Sequence, residues 1–262
     1  MPVLFIGHGS PMNIISDNEF TRSLETLGKN LPKPKAILVI SAHWLTSGTK
    51  VLCTEQPRTI YDFYGFPKQL YTLNYPSSGF PELAENICQE LAAYNVKCDY
   101  NWGYDHASWS ILKHIYPKAN IPMIELSLDY GFNDWQVKPL EYHYQIAQNL
   151  GFLRREGVLI IGSGNIVHNL RMIDYNVNAP IMEWARELDA TVKEIIINKR
   201  HDDLIHIEKL GANSRIGIPT WDHYLPMIYT LALQDEEDSV KFLYEGFQHG
   251  SVSMRCFQIG IK

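Results

Sequence analysis

Five of the 10 histidines in this chain stand where apolar segments break into turns or loops, positions in which an imidazole is free to do chemistry. His8 follows the run "VLFI" in Gly7-His8-Gly9-Ser10-Pro11, and His43 follows "AILVIS" in Ser41-Ala42-His43-Trp44. His168 lies just past "GVLIIGSGN", His106 sits in the loop "GYDHASW", and His223 in "TWDHYLP" opens a late apolar helical stretch. Neutral imidazole ligates zinc, iron and copper, and near neutral pH it also takes and gives protons. Singly, each has a plainer reading, His43 as a core residue beside Trp44 and His223 as a helix cap beside Asp222. Delivered together by separate elements to one rim, they predict a metal site. His114, His143, His201, His206 and His249 fall on helix faces or in polar loops and read as solvated or structural.

Two look-alike motifs fail on their spacing. "GSGNIVH" carries Val167 where a dinucleotide-binding turn requires its third glycine, so no nucleotide site is expected. "GHGSP" lacks the G-x-S-x-G of a nucleophile elbow, which removes Ser10 as a nucleophile.

The elements that must position the histidines are legible as alternating runs. "PVLFIG", "AILVISA", "TKVLCTE", "IPMIELSL" and "GVLIIGSG" read as strands, most of them continuous enough in Val, Ile and Leu to be buried on both faces. "PELAENICQELAAY", "DWQVKPLEYHYQIAQNLGFLRREG" and "IMEWARELDATVKEIIINKR" read as helices, the second ending near Gly157 with Pro139 in an early turn or at a kink. "SVKFLYEGF" and "GSVSMRCFQIGI" read as two further strands near an edge. Strand–helix alternation predicts an α/β layered domain with a largely parallel, mixed central sheet flanked by helices, and ligands in such sheets bind outside the carboxyl ends of the strands. With no repeat, low-complexity tract or long linker, residues 1–262 read as a single catalytic domain. The long aromatic loop "EQPRTIYDFYGFPKQLYTLNYPSSGFP" suits a binding wall, with Tyr61, Phe63, Tyr64 and Phe66 set to enclose a flat ring.

Composition excludes several partners. A formal net charge of −6 without a basic stripe argues against nucleic acid, and no apolar stretch is long enough to cross a bilayer. The sequence goes straight into a strand at its start, so secretion is not expected. Cys53, Cys88, Cys98 and Cys256 never form a CxxC pair and read as small core or surface residues in a reducing compartment, neither a disulfide framework nor a thiolate metal site. A cytoplasmic protein is the expectation.

Taken together, "GHGSPM", "SAHW", "DHASW", "SGNIVHNLR" and "HYLPM" resemble, in order and spacing, the class III extradiol ring-cleavage dioxygenases. The resemblance is closest to the 4,5-DOPA extradiol dioxygenase-like branch and runs essentially to the closing "GSVSM". It implies an α/β fold holding one divalent metal in a cleft, and extradiol opening of a small catecholic substrate, such as DOPA, by O2. It further implies His8 and His43 as early metal ligands and His223 as a later one. His168 resembles either a fourth ligand or an acid/base residue over the open coordination position. His106 resembles a substrate-side catalytic histidine, with Ser10, Tyr61 and Phe63 expected on the same side. Better-known members of the class hold Fe(II) with two histidines and a carboxylate. Here His223 takes the late position, with Asp222 and Glu245 as the nearest carboxylates, and an all-nitrogen set suits zinc as well as Fe(II). A zinc-dependent hydrolase and a non-catalytic metal-binding protein stand as the alternatives on the same fold.

Overall fold

The continuous Val/Ile/Leu runs build the middle of a mixed eight-stranded sheet. The computed structural model describes residues 1–131 and 138–260. Its strands are β1 (Val3–Gly7), β2 (Ala36–Thr46), β3 (Lys50–Leu52), β4 (Lys97–Asp99), β5 (Met123–Asp129), β6 (Val158–Gly164), β7 (Ser239–Tyr244), β8 (Phe247–Gln248), β9 (Val252–Ser253) and β10 (Cys256–Gly260). The helices are α1 (Glu19–Asn30), α2 (Pro81–Glu90), α3 (His106–Ile115), α4 (Leu140–Gln148), α5 (Phe152–Arg155), α6 (Glu183–Ile197), α7 (His201–Ile205), α8 (Ser214–Gly217) and α9 (Leu225–Leu231). Strand order is β4-β3-β5-β2-β6-β1-β10-β7, and β8 pairs separately with β9. The four central strands β5, β2, β6 and β1 run parallel, whereas β10 and β7 close one side antiparallel.

Every residue of β1, β5 and β6 is buried, as strands covered by helices on both faces require. Their side chains alternate between two cores. Val3 and Phe5 join Leu38 and Ile40 against residues of α2, α4, α6 and α9, while Leu4 and Ile6 join Ile37 and Val39 against α1 and α3. The α/β layering thus matches what the alternation predicts.

Three local readings are corrected. The strand at "TKVLCTE" shrinks to Lys50–Leu52. The long helix read across 134–157 is two, because α4 begins after Pro139, whose ring favours the N-cap position over the helix interior, and stops before the turn at Asn149–Gly151; residues 134–137 lie outside the described residues. Cys53 and Cys98 are joined by a disulfide, against the reading of unpaired thiols. The parallel pairing of β3 with β4 sets Val51 opposite Cys98 and so brings together cysteines 45 residues apart, a proximity invisible in their spacing. With it goes the cysteine argument for a reducing compartment. Among the described residues, no helix is long and apolar enough to cross a membrane.

Candidate metal and active site

A bulge in the central strand delivers His43. Ile40 pairs with Leu126 and Leu45 with Leu128, so the partner strand advances two residues while β2 advances five. Ser41 to Trp44 leave the β5 ladder there, Ser41 keeping its pairing with Ser163 of β6, and a bulge of this kind re-aims side chains beside a site. His8 comes from the end of β1, where its N–H donates to the Gly164 carbonyl at 3.1 Å. His223 precedes α9, and its carbonyl accepts from Asn165 N at 2.9 Å. A Cβ on Gly164 would lie 2.2 Å from that carbonyl, so only glycine lets the His223 turn rest on the end of β6.

The three rings form a near-equilateral triangle, with centroids 5.2 Å apart for His8–His43, 5.3 Å for His8–His223 and 5.0 Å for His43–His223. One nitrogen from each lies within 4.8 Å of the others. In each ring Nδ1 is engaged elsewhere. Ser163 Oγ gives its own proton to the Ala107 carbonyl at 2.5 Å, so at 3.0 Å from His8 Nδ1 it must accept one, leaving Nε2 of His8 as the lone-pair nitrogen. His223 Nδ1 donates to Asp222 at 2.5 Å, and His43 Nδ1 stands 2.9 Å from Asp62. Nε2 of His43 is buried without any partner. Three imidazoles braced at Nδ1 by a hydroxyl or carboxylate, one with an orphaned Nε2, are what a divalent first-row metal requires of its ligands.

The other two histidines flank this triangle. His168 stacks parallel on His223, with centroids 3.6 Å apart and planes 9° off. His106 lies 4.1 Å from His43, and it opens α3 rather than standing on a free loop. Its imidazole is oriented by Asp62, whose oxygens sit 2.8 Å from its Nδ1 and 2.8 Å from its backbone N. The side chain of the neighbouring Asp105 neither orients the ring nor caps the helix; its carboxylate accepts from Ser41 Oγ at 2.8 and 2.7 Å. Ala107 and Ser108, next along α3, are fully buried.

Of the predicted aromatic wall, Phe63 meets His106 edge-on at 5.5 Å, with Tyr61 and Phe66 packed behind it. Tyr64 is 92% exposed and stands apart. Ser10 caps the short turn Pro11–Ile14, its Oγ accepting from Met12 N at 3.2 Å. Glu245 pairs with Arg255 and Lys193, which removes it as a ligand candidate.

Burial first, then the neighbouring imidazoles, push His8 and His168 well below the ordinary histidine value; burial also lowers His223 against the opposing pull of Asp222. All three are therefore neutral and ligand-competent at physiological pH. Burial would raise Asp62, but hydrogen bonds from His106 and His43 outweigh it and hold the carboxyl far below its usual range. Behind the site, burial, with Asp62 adding to it, pushes Asp105 up to about 7, and burial, with Asp105 adding to it, raises Glu125 well above its usual value. Glu125 Oε2 has no partner, consistent with a protonated acid. Neither Asp62 nor this buried pair was expected from sequence. One signal was available for Asp62, the single acidic residue between Gln56 and Pro81 in the aromatic loop.

Comparison with known proteins adds an independent observation. The family described as "Catalytic LigB subunit of aromatic ring-opening dioxygenase" matches residues 2–255. A protein of Escherichia coli (strain K12) named 4,5-DOPA dioxygenase extradiol is 41% identical, the match covering 99% of this chain and 95% of that one. A Beta vulgaris protein of the same name is 33% identical over 97% of this chain and 94% of its own. A crystal structure of an uncharacterized protein from Escherichia coli K12 superposes with a TM-score of 0.84 at 38% identity, covering 99% of this chain and 100% of that one.

Proposed function

The chain belongs to the LigB family of aromatic ring-opening dioxygenases, and from that premise we propose that it opens a catecholic ring, DOPA being the first candidate, by extradiol cleavage at one metal held by His8, His43 and His223. The observation that carries the metal assignment is the buried, unpartnered Nε2 of His43 within the triangle of imidazoles. The hydrolase alternative has no support from the family.

When bound, the metal supplies a Lewis-acidic centre with positions free of protein, at which both catechol oxygens and O2 can meet. Zinc lacks the redox chemistry for this, so Fe(II) is the working ion. Everything else falls to the side chains. Ser163, Asp62 and Asp222 fix the three ligand rings in one tautomer, so no reorientation is needed as substrate arrives. His168 is neutral and stacked at the triangle's edge, where it serves as the base for a catechol hydroxyl proton. His106, with Nδ1 committed to Asp62, keeps Nε2 to hold or donate a proton on the substrate side. Phe63 covers His106 and excludes water from that side.

The deciding experiment is an oxygen-electrode assay of protein reconstituted anaerobically with Fe(II), run against a small catechol panel. One O2 should be consumed per ring, with a yellow ring-opened semialdehyde carrying both oxygen atoms, and zinc-loaded protein should be inert. Iron-loaded protein that consumes no O2 with any catechol overturns the proposal.

A further inference from the structure

Away from the histidines, a second group of metal-ligating side chains meets at the β4 edge of the sheet. Sγ atoms of Cys53, Cys88 and Cys98 lie within 4.8 Å of one another, Cys88 standing 3.3 Å from Cys98. Cys53 is buried just past β3, Cys98 is half-buried in β4, and Cys88 is half-buried on α2, which packs against both strands. Three separate backbones thus aim sulfur at one point, and ring opening uses none of them. No histidine or carboxylate among the described residues belongs to the group.

We propose that, when the Cys53–Cys98 bridge is reduced, Cys53, Cys88 and Cys98 form a three-thiolate site for a soft monovalent metal ion of the Cu(I) class. A trigonal site with metal–sulfur bonds of about 2.3 Å needs sulfurs about 4 Å apart, a spacing this cluster reaches with small rotamer changes. Thiolates select soft ions, and the absence of a fourth protein ligand disfavours tetrahedral zinc. The bridge is the off state, because two of the three sulfurs are then bonded to each other. An external dithiol supplies two electrons and two protons to open it, becoming a disulfide itself, and the entering ion then displaces three thiol protons. In the bridged chain burial, with Glu85 adding to it, pushes the Cys88 thiol up to about 11.

The test is an anaerobic competition for Cu(I) between a chromophoric Cu(I) chelator and the zinc-loaded chain, bridged or pre-reduced. The reduced wild-type chain should withdraw one equivalent that the bridged chain does not, with near-ultraviolet sulfur-to-copper absorption. Cys88→Ser should lose that equivalent, and Cys88→Ala repeats the test with an apolar side chain should serine unsettle the packing of α2. Cys256→Ser, a buried thiol elsewhere, should retain it. Equal Cu(I) uptake by bridged and reduced protein, or full uptake by both Cys88 variants, overturns the proposal.

Discussion

Asp62 grips His106 twice, one carboxylate oxygen 2.8 Å from the ring Nδ1 and the other 2.8 Å from the backbone N. Because the first oxygen also stands 2.9 Å from His43 Nδ1, one carboxylate fixes the tautomers of a metal ligand and of a substrate-side residue. Asp62→Asn keeps the shape but brings an N–H toward rings that must donate. Metal affinity should fall about 10–100-fold, the range for lost support behind a ligating histidine. Chelator competition on folded variant protein checks this, and unchanged affinity would mean that the rings hold themselves.

Within one cluster the histidines divide by role. His43→Ala should lose most of its metal by elemental analysis while remaining folded. His106→Ala and His168→Ala should stay loaded yet lose ~10²–10⁴-fold in ring-opening rate, the usual worth of a positioned acid/base group. A metal-free His168→Ala would make His168 a fourth ligand instead.

Gly164 is a steric test of the His223 turn. An alanine methyl there would press on the His223 carbonyl at 2.2 Å, whereas at Gly151 it would meet nothing nearer than 3.4 Å. Gly164→Ala should cost about 1–3 kcal/mol and weaken metal binding, as overpacking against backbone does. Gly151→Ala should change neither, and urea denaturation with metal titration compares the two.

Acid should destabilise the chain through its buried neutral histidines. Burial lowers His143, packed on Tyr229, to about 3, while an unfolded histidine titrates near about 6.5. Between those values the unfolded state holds the extra proton, so stability is complete above the upper one and falls as pH drops toward the lower. The loss attributable to His143 should be about 2 kcal/mol at pH 5. His8, His168 and His223 are shifted in the same direction. His143→Gln should flatten the dependence of the urea midpoint on pH, and an unchanged slope would show that folded His143 accepts the proton.

Elements with strong periodicity are legible in the sequence alone. Val, Ile and Leu runs marked β1, β2, β5 and β6, and the five turn or loop histidines do converge. What escaped depends on contacts between distant segments. Asp62 reads as one polar residue in an aromatic loop until folding sets it between His43 and His106. Asp105 looks like a helix cap, and only burial beside Glu125 makes it part of a carboxyl pair. The run "AILVISA" reads as a strand that stops short of His43, yet β2 continues through the four bulged residues Ser41 to Trp44 and on to Thr46, because register belongs to a pair of strands and not to either alone.

The placement of β1 bears on how the site assembles. It precedes the other strands of the sheet in the sequence, yet its sheet neighbours are β6 and β10, residues 158–164 and 256–260. His8 therefore has no place in the sheet until β6 is available, and His223 lies further along the chain still. Pairings this distant in sequence close slowly, since the entropy of a long loop is lost before any contact repays it. The metal centre therefore forms only once β6 and the His223 turn have come to rest on β1 and on each other.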